Sequence, residues 1–278
     1  MRYGPGDRRR HRGALSLALL VFLATMAGCA AELTPTPTSA PLLVRIGYTD
    51  SLQPLIEAIV PIFSDELPAA SIETEVGHWL VLSDKLRSEG VDAILTPGEP
   101  DHDDGWWLSP IALDGLALIV NPDNRVAGLT LPQAQGIFQG RLWTWEMVGG
   151  APAEIEVVTY AEDSAMWNLF QELVMEERRV TLTAVLLPDT AAVLSYVASR
   201  PWAIGYVAAA AADDRVKVLA VDGIYPSPET LTTRSYPLSY PIYFAALDEP
   251  VGEARRLPAW LVSRDGQAVI GRRYGRVR

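Results

Sequence analysis

The side chains that most often perform catalysis are scarce in this chain. Its 278 residues contain one cysteine, Cys29, and three histidines, His11, His78 and His102. None of them belongs to a Gly-x-Ser-x-Gly, His-Glu-x-x-His or glycine-rich phosphate-loop motif, and no nucleophile stands beside a recognisable base. Adjacent acids occur at 176–177, but the two arginines that follow them indicate a solvated helix face. We therefore expect a protein that is not an enzyme and needs no cofactor.

An acidic tract at 101–104, Asp-His-Asp-Asp, has the composition of a metal-binding cluster. A single histidine among carboxylates in an unstructured stretch is more often part of a solvated loop than a metal ligand. We expect no metal site in this protein.

The position of Cys29 indicates lipid attachment. A basic opening with five arginines precedes an apolar run at 14–26, which is the pattern of a secretory signal peptide and is too short to span a bilayer. Met26, Ala27 and Gly28 stand immediately before Cys29 and resemble a bacterial lipobox. We expect residues 1–28 to be a lipoprotein signal peptide and residues 29–42 to be the lipidated cysteine with its Pro/Thr-rich tether. The protein would then be anchored by lipid on the extracytoplasmic face of the cell membrane.

Net charge restricts the class of partner. The chain has a formal charge of −11, and residues 1–28 contain five Arg and one Asp, so that the remainder carries −15. Such an acidic surface disfavours binding to nucleic acid and to anionic lipid. A small anionic ligand stays compatible, because a local ring of N–H groups can bind an anion in a protein of negative net charge. No cysteine follows Cys29, so burial of apolar surface must stabilise the fold without disulfides.

Short apolar runs alternate with helical patterns after the tether. Predicted strands lie at 42–46, 72–76, 92–95, 113–120, 155–159, 181–187 and 203–207, and predicted helices at 52–63, 80–88, 130–140, 164–176 and 190–199. At Pro61 we expect a kink or an early end of the first helix. This alternation predicts an α/β fold with mostly parallel sheets, covered on both faces by helices, and a binding site at the carboxyl ends of the strands.

Several stretches match one known family in the same order along the chain. They are 110–122 (PIALDGLALIVNP), 129–140, Trp145 with Gly149 and Gly150, 204–206 (IGY), 236–243 (YPLSYPIY), and Ser263 with 266–270. Together, over about residues 43–275, they resemble the phosphate-binding proteins of ABC importers and their wider substrate-binding relatives. The resemblance implies a two-lobed periplasmic-binding-protein fold (type II, Venus-flytrap) with two crossovers between the lobes. Lobe 1 is expected at 43–113 and 218–278, and lobe 2 at 114–217.

The family also implies a function and partners. We expect an extracytoplasmic solute-binding lipoprotein that acts as a monomer with an ABC permease and binds a small oxyanion, phosphate by resemblance, in the cleft between the lobes. Two alternatives remain open. One is a receptor for a different small organic solute, and the other is a degenerate member that serves as a sensor or partner protein.

In this family N–H groups and hydroxyls at helix starts hold the anion, because they direct positive partial charge at it. The resemblance implies that the ligand contacts are Thr49, Asp50, Ser51, Thr96, Tyr160, Asp163, Ser164, Ala165 and Met166. Asp50 and Ser51 are explained equally well as caps of the helix that follows them.

Two departures from the family pattern weaken the expected phosphate site. Tyr160 stands where the family has an arginine, and only Ser164 remains of the Gly-Ser-Gly-Thr motif. A bidentate guanidinium contact is therefore missing, so we expect weak phosphate binding. The pairs His78-Trp79 and Trp106-Trp107 could form stacking surfaces for an organic ligand, but we expect these tryptophans to pack in the core.

Overall fold

The computed structural model describes residues 1, 42–66, 70–100, 105–162, 164–176 and 178–277. The predictions made for Cys29, for the signal peptide and tether up to residue 41, for the tract 101–104 and for Asp163 lie outside these residues. Pro41–Arg278 is one compact unit.

The strands of the described part of the chain form one large sheet and one small one. The strands are β1 (Leu42–Tyr48), β2 (Ala70–Val76), β3 (Ala93–Pro97), β4 (Trp107–Val120), β5 (Gly128–Leu129), β6 (Glu156–Tyr160), β7 (Val185–Leu187), β8 (Ala203–Ala208), β9 (Lys217–Val218), β10 (Ala220–Val221) and β11 (Ser239–Ala246). The large sheet has the order β2-β1-β3-β11-β4-β8-β6-β7, with β9 also paired to β4, and β10 pairs with β5.

Helices follow most of the strands. They are α1 (Gln53–Glu66), α2 (Trp79–Arg87), α3 (Leu131–Phe138), α4 (Ala165–Phe170), α5 (Thr190–Ser199), α6 (Pro228–Thr232), α7 (Arg256–Leu261) and α8 (Arg264–Ile270). A 3-10 turn, Asp50–Leu52, precedes α1, and α4 continues as a π-helical turn, Gln171–Met175. None of the described helices is long and apolar enough to cross a membrane.

Strand β4 joins two halves of the large sheet. Its first part pairs antiparallel with β11, which also pairs with β3, and its last part pairs antiparallel with β8. Within the first half β1 is parallel to β2 and β3, and within the second half β6 is parallel to β7 and β8. The C-terminal strand β11 therefore completes the half that the N-terminal strands begin. The exact lobe boundaries, 43–113 with 218–278 and 114–217, stay a prediction.

Two elements differ from the sequence-based expectation because of proline. Helix α1 continues through Pro61 to Glu66, so of the two expected outcomes the early end is wrong and the kink stays a prediction. Strand β4 begins at Trp107, before Pro110, where a central strand is not expected. A register shift lies directly opposite Ile111, so the proline stands beside a β-bulge. The strand expected at 181–187 is limited to Val185–Leu187.

Candidate functional site

Four segments meet at the carboxyl ends of the strands. The turns after β1 and β2 come from the first half of the sheet, and the turns after β6 and β7 come from the second half. They enclose a cavity of about 180 Å³, here called the strand-end cavity, lined by residues 49–50, 76–79, 164–165 and 188–189. At roughly 30 Å³ for one water in the liquid, this space fits a small ion with its hydration or a small solute.

The first half contributes hydroxyl and amide groups. The Thr49 hydroxyl lies 3.2 Å from the Ser51 hydroxyl, and both side chains are buried. The N–H of Gly77 is already used, since it donates to the carbonyl of Tyr48 at 3.0 Å. Helix α2 begins at Trp79, directly beside the cavity, and the N–H groups of a first helical turn have no acceptor within the helix.

The second half contributes a second helix start. Ser164 caps α4, where its hydroxyl oxygen accepts from the N–H of Trp167 at 3.1 Å. That bond uses an acceptor lone pair, so the Ser164 O–H can still donate toward the cavity. The sequence element that produces this arrangement is a serine with non-helical backbone angles immediately before the helix.

A second cavity of about 270 Å³ adjoins the first, since Trp79 and Ala165 line both. Its other walls are residues 96–100 with Asn168, Leu169 and Glu172. Thr96, the next-to-last residue of β3, is buried here, and its hydroxyl is 3.4 Å from the Pro97 carbonyl. Thr49, Asp50, Thr96, Ser164 and Ala165 are therefore brought together along one cleft.

Three of the predicted ligand contacts do not line the two cavities. Ser51 is fully buried behind Thr49, and Met166 is packed in the core. Tyr160 is buried as well, with its hydroxyl donating to the Thr190 hydroxyl at 3.3 Å, and burial raises its pKa well above the ordinary value. Residues 157–160 of β6 are all buried, so the end of this strand belongs to the core and does not line the cleft.

Sequence reasoning missed the turn after β7. Pro188 and Asp189 line the strand-end cavity, and Asp189 caps α5 by accepting from the N–H of Ala192 at 2.7 Å. The signal that could have found it is the same as for Ser164: a capping residue between an apolar run and a helical pattern. His78 and Trp79, considered only for stacking, also line the cavity.

The electrostatics of the cleft are acidic. Carboxylates of Asp50 and Asp189 line the strand-end cavity, and those of Glu99 and Glu172 line the adjoining one, while no described residue of either lining is Arg or Lys. Positive potential for an anion must therefore come from N–H groups and hydroxyls.

Comparison with known proteins places the chain among solute receptors. A family model for PBP superfamily domains matches residues 72–265. Phosphate-binding protein PstS of Bacillus subtilis is 26% identical over 243 residues, which cover 82% of this chain and 77% of the relative. Protein SphX of Synechocystis sp. is 26% identical over 264 residues, covering 84% and 75%.

Solved structures give the same result. A phosphate ABC transporter substrate-binding protein from Clostridium perfringens, determined with bound phosphate, has a TM-score of 0.79 at 26% identity, over 85% of this chain and 100% of that one. An ABC-type phosphate transport receptor from Vibrio cholerae has a TM-score of 0.68 at 23% identity, over 84% and 99%. The predicted two-lobed α/β fold is confirmed.

Proposed function

The chain belongs to the PBP superfamily, and on that premise we propose that it is the extracytoplasmic solute receptor of an ABC importer, binding a small oxyanion, with phosphate the first candidate. The resemblance read from the sequence motifs is thereby confirmed at the level of the family. We propose transport rather than sensing because the Clostridium perfringens protein that this chain resembles is named as part of a phosphate ABC transporter.

One observation carries the proposal. The strand-end cavity lies where turns from both halves of the sheet meet, and its polar wall includes two helix starts and the hydroxyls of Thr49 and Ser164. Ligands of open α/β sheets bind outside the carboxyl ends of the strands, and helix starts favour anions. A small solute with several acceptor oxygens would satisfy these donors from both halves at once, which favours a binder over a catalyst.

A specific observation favours a second candidate, an organic solute. Trp79 lines both cavities, and the two together offer more room than phosphate fills. The described lining of both cavities contains no Arg or Lys, which also weakens the binding of any dianion. Phosphate binding by this chain is accordingly proposed to be weak.

Ser164→Ala tests the oxyanion proposal. The variant loses one hydroxyl donor to the ligand, and a hydrogen bond to a charged group contributes about 1.5–3 kcal/mol, so the phosphate dissociation constant should rise roughly tenfold to a hundredfold. Calorimetric titration of phosphate into both proteins measures it. Ser263→Ala is the matched control, because Ser263 caps α8 in the same way by accepting from the N–H of Gly266 at 3.2 Å, outside the cleft lining.

Both substitutions should cost about 1 kcal/mol of stability through the lost cap, and only Ser164→Ala should weaken binding. Equal phosphate affinities in the two variants would contradict the assignment of the site. If a neutral organic solute raises the melting temperature and millimolar phosphate does not, the second candidate is the correct one.

The lipid anchor is part of the same proposal. Attachment through Cys29 would keep the receptor beside its permease after signal-peptide cleavage. The variant Cys29→Ser should appear as soluble protein or as uncleaved precursor in a membrane fractionation. A mature-sized variant that stays in the membrane fraction would exclude Cys29 as the anchor.

A further inference from the structure

One carboxylate joins the two halves of the cleft. Asp50 follows β1 in the first half, and its Oδ2 atom accepts a hydrogen bond from the main-chain N–H of Thr190 at 2.8 Å. Thr190 is the first residue of α5, which follows β7 in the second half. The bond therefore spans residues 140 apart in sequence and crosses the cleft.

The chemistry of this contact makes it strong. Helix α5 has ten residues, and the N–H of its first residue has no acceptor within the helix. Asp189 already caps the helix through the N–H of Ala192, so Asp50 is a second carboxylate at the same positive end. A hydrogen bond from an N–H to a carboxylate is about twice as strong as one between neutral groups.

A close contact elsewhere along the cleft points to the same closed arrangement. Gly98 follows β3 in the first half with a φ of 74°, and a Cβ atom placed on it would lie 2.9 Å from Cδ2 of Leu169 on α4. The positive φ favours glycine, and the short distance shows that the turn after β3 lies directly against α4. The halves are thus in contact both at the strand-end cavity and at the adjoining one.

We infer that Asp50 is a positioning residue that holds the cleft closed, with its carboxylate acting as an internal anion for the start of α5. Both partners of this bond belong to the protein, so the closure it provides requires no solute. The inference rests on the proposed function only in taking this cleft as the solute site. It limits the groups left for a solute oxyanion, because the Thr190 N–H is already taken. The remaining donors include the hydroxyls of Thr49 and Ser164 and the first turns of α2 and α4.

The hydrogen bond between Asp50 and the Thr190 N–H is here called the latch. The distance between the two halves in solution tests whether it holds the cleft closed. Leu80 on α2 and Leu186 on β7 are exposed by 62% and 64%, and each can be changed to cysteine and spin-labelled in the full chain carrying Cys29→Ser. Electron–electron resonance on the protein without phosphate then reports the distance between the halves. The latch predicts one short, narrow distribution for this reference protein.

Three variants separate the bond from its surroundings. Asp50→Ala removes the acceptor. Thr190→Pro removes only the donor N–H from the backbone, because proline is tolerated at the first position of a helix and Asp189 has the extended backbone that precedes proline. Thr190→Val keeps the N–H but loses the hydroxyl that accepts from Tyr160, and is the matched control.

Asp50→Ala and Thr190→Pro should each increase the ratio of long to short distances on the order of tenfold, as expected for one charge-assisted hydrogen bond. The double variant should show no further increase, and Thr190→Val should match the reference. Short, narrow distributions in both Asp50→Ala and Thr190→Pro would overturn the latch. Because no solute is present, this outcome is independent of phosphate titration, whose failure would count against the proposed function alone.

Discussion

Asp114→Asn is expected to remove a large loss of stability that the protein suffers as the pH rises from about 4 to about 7. Asp114 is fully buried on β4, where Oδ1 accepts from the N–H groups of Gly115 at 2.7 Å and Ala210 at 3.3 Å. Its Oδ2 atom has no hydrogen-bond partner among the described residues. Burial raises the pKa of Asp114 from 3.8 to about 7, against the opposing effect of these two N–H donors and of the nearby Arg273 and Tyr240 side chains.

The direction of the pH effect follows from linkage. The folded-state pKa of Asp114 lies above its unfolded value. The protonated carboxyl therefore contributes its full share of the unfolding free energy below about pH 4, and that share is lost as the pH rises to about 7. A shift of this size, about three pKa units, corresponds to about 4 kcal/mol. Asparagine stays neutral, so the variant should match the natural protein at about pH 4 and be more stable by several kcal/mol at about pH 8.

Urea unfolding of both proteins across this pH range measures the difference. Asp213→Asn is a control for which the opposite pH dependence is expected. The hydrogen bond from Arg215 lowers the pKa of Asp213, so this carboxylate stabilises the fold at neutral pH and loses that effect as the pH falls. Parallel stability curves for the natural protein and Asp114→Asn would show that Asp114 is ionised in the fold throughout.

Gln267→Leu is expected to destabilise the protein by about 3–6 kcal/mol. The Gln267 amide is buried in α8, donates to the carbonyls of Ile111 at 2.8 Å and Leu261 at 2.7 Å, and accepts from the N–H of Val277 at 3.0 Å. Leucine keeps the volume but leaves three main-chain groups unpaired, at about 1–2 kcal/mol each. Ile111 is the bulged residue of β4, so this side chain fixes the C-terminal segment to the central strand.

Gln135→Leu is the control for Gln267→Leu. Urea unfolding of both variants and of the natural protein measures the loss of unfolding free energy that each substitution causes. Gln135 makes one such bond, to the carbonyl of Val174 at 2.8 Å, so its loss should cost about 1–2 kcal/mol. Equal losses for the two glutamines would mean that Gln267 does not hold the C-terminal segment in place.

Much of the fold could be predicted because local signals agree with it. The helix at Thr190–Ser199 was predicted at its observed ends from its helical pattern, and its observed cap, Asp189, agrees with that start. Strand β4 was predicted too short because Pro110 argues against a central strand, and only the bulge opposite β11, a long-range feature, makes it compatible. Pro61 misled the prediction in a similar way, because a proline beyond the first turn argues against a continuing helix and α1 nevertheless continues past it.

The site could be predicted only in part, because a cleft is made by segments distant in sequence. Thr49, Asp50 and Ser164 were named because the resembled family binds its ligand at helix starts after strands, and they line the strand-end cavity. Tyr160 was assigned by alignment to a family arginine, yet it is buried in the core and lines neither of the two cavities. The pairing of Asp50 with Thr190 depends on how the two halves meet, which no local pattern contains.

The central claim, that the strand-end cavity is the solute site, is tested most directly by a crystal structure grown with millimolar phosphate. We predict density for a tetrahedral ion between Thr49, Ser164 and the start of α2, with the Asp50 carboxylate still bonded to the N–H of Thr190. Density for phosphate at another place in the cleft, or a strand-end cavity that contains only water under these conditions, would contradict it.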